Sequence, residues 1–314
     1  MFKKILKINL LILILFLTSL PSVSAENDEN LYLEKISRIG FNKVLNLDPK
    51  QEIQNLFSKY DKYANSHNLE KFKSLYAENY LNSDGFDKET YFKIIERSWT
   101  TYPDVSYSTQ IQNISINGNY ATIKLTEYAT GKTKELFASI KEEGEIKSKS
   151  EVIFQLQKYA NEWLIISNMT LEETTSLKYG DAKGINISLD APNLIKEGEQ
   201  YTTTMNIDIP ANTFVLASLT NEPIIFPQSQ PKDVFRNMKG SSVLERIFTA
   251  NTQNHNEYAV ASVGLTKASV INSQNININV TGMAFLMTRV NVLKKQEVKQ
   301  IDIKEATNTE NEKG

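Results

Sequence analysis

The stretch Tyr91-Phe92-Lys93-Ile94-Ile95-Glu96-Arg97-Ser98-Trp99-Thr100-Thr101-Tyr102-Pro103-Asp104 decides the fold. Up to Trp99 its apolar residues recur at helical spacing. Pro103 then ends the helix, because the residue before a proline avoids helical dihedrals. Beyond it the apolar period falls to two. Residues 104–116 alternate weakly, and Asn117-Gly118 reads as a hairpin turn because both residues tolerate positive φ. From Tyr120 to Thr130 the alternation is clear, with Ala121, Ile123 and Leu125 on one side. Thr130-Gly131-Lys132 turns the chain again. Residues 149–158 and 162–170 form a further hairpin through Tyr159-Ala160-Asn161, with Val152, Phe154 and Leu156 sharing one face and Trp163, Ile165 and Met169 another.

Two more helices precede this one. Asp48-Pro49-Lys50-Gln51 supplies an acidic cap, a proline at the first helical position and a glutamine placed to reach back. Ile53, Leu56, Phe57, Tyr60 and Ala64 then share one face. Asn68 caps a second helix with Leu69, Phe72, Leu75 and Tyr76 inward, and the loop Asn82-Ser83-Asp84-Gly85 ends it. Asp87 caps the third. Helices and sheet, each with one apolar face, bury each other. The expected class is α+β: a cone-like domain of three helices and a curved antiparallel sheet, followed by an all-β sandwich domain.

The residues Ile53, Phe57 and Tyr60, the run His67-Asn68-Leu69-Glu70-Lys71-Phe72-Lys73-Ser74-Leu75-Tyr76-Ala77-Glu78-Asn79-Tyr80 and the closing Asn161-Glu162-Trp163-Leu164-Ile165 resemble the nuclear transport factor 2-like (SnoaL-like) superfamily. The resemblance covers about two-fifths of the chain. It implies a cone whose interior, between helices and sheet, holds an acid or base in the enzymatic members. That superfamily also holds many non-enzymatic pocket proteins, so the resemblance fixes no function.

The remainder divides around this domain. Residues 1–25 read as a secretory signal peptide: Lys3, Lys4 and Lys7, the apolar run Leu10 to Leu20, and Val23-Ser24-Ala25 before a cut at Glu26. An uncleaved anchor is the rival reading. The expected place of the protein is outside the cytoplasm: secreted, periplasmic or in the cell envelope. Residues 26–48 form a lead segment, 49–175 the cone domain and 184–293 the sandwich, with a polar boundary at Glu173 to Gly184. Ile185 to Val292 alternates in short runs, and Lys196-Glu197-Gly198-Glu199-Gln200-Tyr201 resembles the strand entry of bacterial immunoglobulin-like modules. Residues 222–256 are an insertion. In it Pro231 and the capping-box pattern Ser242-Val243-Leu244-Glu245 each suggest a short helix. Residues 294–314, with five lysines against five acids, read as a disordered tail.

Composition narrows the chemistry. The net charge of −2 becomes −5 once a leader with three lysines and no acid is removed, so neither nucleic acid nor an anionic membrane is an expected partner. Cysteine is absent, which removes disulfides, thiolate chemistry and a lipid-anchored cysteine. Thirty lysines against five arginines point to an AT-rich bacterial genome. The two histidines, His67 and His255, lie on separate loops, read as a cap or surface residue and a turn residue. No metal set, nucleophilic triad or phosphate loop is visible, and no cofactor is expected. The acidic run around Glu142-Glu143-Gly144-Glu145 reads as a solvated hairpin tip, and the four N-x-S/T sequons as chance in an asparagine-rich chain.

Candidate site residues follow. Tyr60, Tyr76, Trp99 and Tyr128 are candidate walls of a ligand pocket in the cone. Glu127 alternates with the apolar set of its strand and is the candidate base. Arg236 and Arg246, in the insertion, are the candidate partner surface. The expected function is a non-catalytic binding or scaffolding protein, and not an enzyme, for an unknown small apolar ligand or protein partner. The alternative is a cyclase- or isomerase-type enzyme acting on a small apolar molecule in the cone. No membrane span is expected after signal removal, and pairing into a homodimer through the sheets is open.

Overall fold

The computed structural model describes residues 48–228, 233–238, 240–272 and 275–294. The expected signal peptide, most of the lead segment, the helix at Pro231 and almost all of the tail lie outside the described residues. Three helices come first: α1 (Pro49–Asn65), α2 (Leu69–Lys73) and α3 (Lys88–Thr101). Asp48, Asn68 and Asp87 each accept a hydrogen bond at the corresponding helix start. Gln51 does not reach back to the cap; its amide donates to Asn55 instead. Among the described residues no helix is long and apolar enough to cross a membrane.

The strands β1 (Ser106–Asn117), β2 (Tyr120–Lys132), β3 (Glu145–Tyr159) and β4 (Glu162–Gly180) form an antiparallel meander under the helices. The β1–β2 loop is Gly118-Asn119, one residue later than the sequence suggests, because only Gly118 takes positive φ, at +57°. Helix α1 is fastened to the sheet at both ends. Asp61 accepts from Thr109 N–H and Oγ1 at 3.2 and 3.0 Å, and Glu52 accepts from Lys158 and Trp163 at 2.6 and 2.9 Å. The five residues expected on its inner face are its buried residues.

Strand β4 carries two register shifts against β3, between Leu156 and Gln155 and between Val152 and Glu151. Each extra residue reverses which side chains face the helices. Trp163 and Ile165 point in; after the first bulge Asn168 is in and Met169, expected in, is 42% exposed. After the second, Glu173, Thr175, Leu177 and Tyr179 share the inner side. The segment from Glu173, read as a polar boundary, is therefore strand up to Gly180, followed by a 3-10 turn, Asp181–Gly184.

The sheet does not end there. Strands β5 (Ile187–Asp190), β6 (Leu194–Lys196), β7 (Gln200–Ile207), β8 (Phe214–Pro223), β9 (Arg236–Asn237), β10 (Val243–Thr249), β11 (Glu257–Asn272) and β12 (Asn275–Leu293) build the second unit. β12 pairs antiparallel with β4 from Thr288–Thr174 to Gly282–Gly180, so the order runs β1-β2-β3-β4-β12-β11-β8-β9 through both units. β6 runs parallel to β12, and the sheet β10-β7-β5 covers the other face as the second layer of a sandwich. β11 and β12 are consequently buried on both faces. Val260, Met283, Phe285 and Met287 join the core of the cone, while Ala259, Ala261, Ala284 and Leu286 join that of the sandwich. Two-sided burial explains their near-continuous apolar sequence.

The helix expected at Ser242 is a strand. Val243–Thr249 pairs along its whole length with β7, with Leu244 half-buried and Phe248 buried. Its β-branched residues favour the pleat, and Ser241 rather than Ser242 binds the local backbone.

The join between units constrains Gly180. Its φ is +52°, and a Cβ there would collide with the carbonyl of Thr281. Gly180→Ala is expected to lower unfolding stability by about 2 kcal/mol in a denaturant titration. No change would show that the β4–β12 seam is slack.

Candidate functional site

The antiparallel register places residues of one row on one face. Glu127 on β2 stands opposite Ser150 on β3, and Ser150 opposite Glu173 on β4. Both carboxylates thus face the helices, one strand between them, about 10 Å apart along the backbone spacing.

Glu127 accepts a hydrogen bond of 2.7 Å from Tyr60 Oη. Burial pushes its carboxyl up to about 7, against the bond from Tyr60, and the charges of Asp61 and Glu173 add to the rise. Glu173 accepts from Tyr258 Oη at 2.9 Å. Burial raises its carboxyl too, opposed by the nearby Arg289 guanidinium and by the Tyr258 bond.

Beside this row lies a cavity of about 320 Å³. Its walls come from both units: Ile94, Ile95 and Arg97 of α3, Ala129, Ser148 and Glu173 of the cone sheet, and Tyr258 and Met287 of β11 and β12. The segment after β8 closes one side with Ile224, Ile225, Phe226 and Gln228. Gln228 is buried and holds this segment in shape by donating to the Pro223 carbonyl at 2.8 Å. The volume is near the lower end of ordinary ligand pockets, and apolar walls with few polar groups are their usual lining.

The sequence candidates fall into different places. Tyr60 holds Glu127, within the cone. Tyr76 and Trp99 are buried in the aromatic core rather than in the cavity wall, Tyr76 against Phe72, Tyr80 and Phe92, and Trp99 stacked on His67 at 4.8 Å. Tyr128 is corrected: one residue after Glu127, it points to the opposite face and is 38% exposed. Arg236 and Arg246 come together around a small recess of about 70 Å³ in the second unit. Arg246 is engaged within the chain, donating to the Leu219 carbonyl at 2.6 Å and lying over the Phe248 ring at 4.9 Å. Among the described residues no group of three or more His, Asp or Glu is placed to hold a metal ion.

Glu173, Arg97 and Tyr258 were not singled out by sequence, while the 224–228 segment belongs to the 222–256 insertion that was marked there without a place on the cavity. Glu173 lies in a polar run, and only the second bulge of β4 turns it inward. Tyr258 and the segment come from the second unit, and no local pattern brings them to the cone. Arg97 carried one readable signal: it lies on the helix turn between Ile94 and Trp99 and is one of five arginines.

No protein-family model matches the chain. No curated protein matches it either. Solved structures match over about two-fifths of it. A putative scytalone dehydratase from Novosphingobium aromaticivorans is 15% identical, with 40% of this chain and 85% of that one covered and a TM-score of 0.33. A nuclear transport factor 2-like superfamily protein from Salmonella enterica serovar Typhimurium is 14% identical, with 38% and 88% covered and a TM-score of 0.33. A type 2 hexachlorocyclohexane dehydrochlorinase (LinA) is 9% identical, with 38% and 84% covered and a TM-score of 0.32. Another matched chain is spanned over only 39% of its own length. The expectation of a non-catalytic binding or scaffolding protein, and not an enzyme, is corrected. Aromatic side chains fill the cone around Tyr76 and Phe92, but beside them a cavity of about 320 Å³ with the Glu173 carboxylate in its wall leaves room for a small molecule; Glu127 is not among its lining residues.

Proposed function

We propose that this chain, whose N-terminal part has the nuclear transport factor 2-like fold, is an enzyme of the isomerase or cyclase type that moves a proton on a small, largely apolar molecule. The observation that carries this reading is the Glu173 carboxylate in the wall of an otherwise apolar cavity of about 320 Å³. A carboxylate with raised proton affinity, shielded from water, is a stronger base than one in solution. Tyr258 Oη fixes its orientation. Glu127 is a second carboxylate in the same row, and with a pKa of about 7 it both holds and releases a proton near neutrality. We infer action outside the cytoplasm, on the leader-like pattern of residues 1–25.

A generic carbon acid tests the reading. Nitrobenzisoxazole is flat and apolar; a base removes its ring C–H proton, the N–O bond breaks, and a coloured cyanophenolate forms. The purified chain is expected to accelerate this step, with a rate that rises with pH through a midpoint above the ordinary carboxylate range. Glu173→Gln is expected to lower the rate about a hundred-fold. An unchanged rate in that variant, or no acceleration by the parent, would reject Glu173 as the base.

A further inference from the structure

Arg97 projects from α3 into the cavity wall. Its Nη2 is buried and has no hydrogen-bond partner. Among the described residues the guanidinium makes no ion pair, unlike Arg289, which is matched to Asp84. Neither carboxylate of the sheet compensates it, and burial alone holds its proton affinity below the usual arginine value. Five residues on, Tyr102 lines the same cavity, and its hydroxyl is likewise buried without a partner. Buried donors left unpaired beside one cavity cost free energy, which a ligand accepting their hydrogen bonds would recover. Ser98 and Thr101 add polar groups from the same end of α3, and Ser148, Glu173 and Thr175 add theirs from the sheet.

We propose that the cavity takes a small, flat, apolar monocarboxylate, whose carboxylate accepts hydrogen bonds from Arg97 and Tyr102 while its apolar body lies among Ile94, Ile95, Ile224 and Phe226. This rests on the reading of the cavity as a substrate site and narrows it to a class. A guanidinium matches a carboxylate in shape as well as charge. It anchors the acid end, and a carbon-bound proton on the body is left for Glu173. An oxygen that gains negative charge as the proton leaves would be stabilised by the same donors.

Cinnamate and cinnamamide, alike in shape and differing in charge, separate the possibilities. Binding to the full chain is measured by calorimetry or ligand-observed magnetic resonance. Cinnamate is expected to bind at least about ten-fold more tightly than the amide, the scale of one charge-assisted contact. Arg97→Met is expected to remove that preference and leave amide binding unchanged, and Arg97→Lys to restore part of it. Tyr102→Phe is expected to weaken cinnamate by a smaller factor. Equal affinity of acid and amide, an equal loss of both in Arg97→Met, or no binding of either at millimolar concentration overturns the proposal. The proton-transfer reading is tested separately, by the effect of Glu173→Gln on turnover of the neutral nitrobenzisoxazole. Equal affinity of acid and amide in a parent chain whose turnover does fall in Glu173→Gln therefore condemns the monocarboxylate and not the proton-transfer reading.

Discussion

Arg289→Met is expected to lower the stability of the chain by about 3–5 kcal/mol at neutral pH, in a single cooperative denaturant transition. The guanidinium is 1% exposed. Both its terminal nitrogens donate to Asp84, one of them at 3.2 Å, and its Nε donates to Asn291 at 2.8 Å. Asp84 belongs to the loop between α2 and α3, and Arg289 to β12, so the pair fastens the cone to the second unit across a dry junction. Asn256 Nδ2 adds a bond of 2.7 Å to the same carboxylate. Methionine fills much of the arginine volume but leaves Asp84 buried with its charge uncompensated, and that desolvated charge is the larger part of the loss. The double variant Asp84→Asn with Arg289→Met is therefore expected to recover most of it. A single transition is expected because one continuous sheet runs through both units across strands β4, β12 and β11. A loss below about 1 kcal/mol, or a double variant no better than the single, would mean that the pair is hydrated.

The division between what residue order reveals and what it hides is local against non-local. Helix starts at Asp48, Asn68 and Asp87 were legible because capping is a contact within three residues. The buried face of α1 was legible because helical spacing alone selects it. Glu127 was legible as an inward carboxylate because β2 keeps an unbroken alternation from Ala121. Its partner Tyr60, however, is 67 residues away, and only the packing of α1 on the sheet joins them. In β4 the alternation is reset twice by bulges, which have no sequence signature in this strand. A polar stretch around Glu173 then looks like a linker when it is the floor of a cavity. The capping-box pattern at Ser242 failed for the opposite reason, since pairing with β7 outweighed a local preference. In β12, Arg289 interrupts an apolar run, and nothing near it in sequence shows that it meets a buried acid from another element.

The second unit changes what the cone can do. In a bare three-helix cone the open rim would be solvent. Here β11 and β12 extend the floor, and the Ile224–Gln228 segment supplies one wall. The size of the cavity is accordingly set in part by residues that the cone's own sequence does not contain.

Glu127→Gln is expected to make the chain more stable at pH 8, by up to about 3 kcal/mol, and to leave it unchanged near pH 4.5. Burial pushes the carboxyl up to about 7 in the folded chain, above the ordinary 4.5 of a glutamate in water. Between those pH values the folded state holds a proton that the unfolded state has released. Stability therefore falls as pH rises through this window, and above it the ionised, buried carboxylate is carried as a constant cost. Glutamine is neutral at every pH, and its carbonyl still accepts the Tyr60 hydroxyl, so the variant escapes the cost and keeps the bond. Glu173 stays in both proteins, and its own raised proton affinity gives both the same downward trend, which cancels in the difference. The repulsion between the two carboxylates does not cancel; its removal favours the variant in the same pH range. Denaturant titrations of parent and variant at half-unit pH steps read the difference directly. A gain that opens with rising pH identifies Glu127 as a buried acid kept ionised at the expense of stability, the mark of a group retained for its proton. A loss of similar size at every pH would make it an ordinary hydrogen-bond acceptor for Tyr60, and the proton chemistry of the row would rest on Glu173 alone.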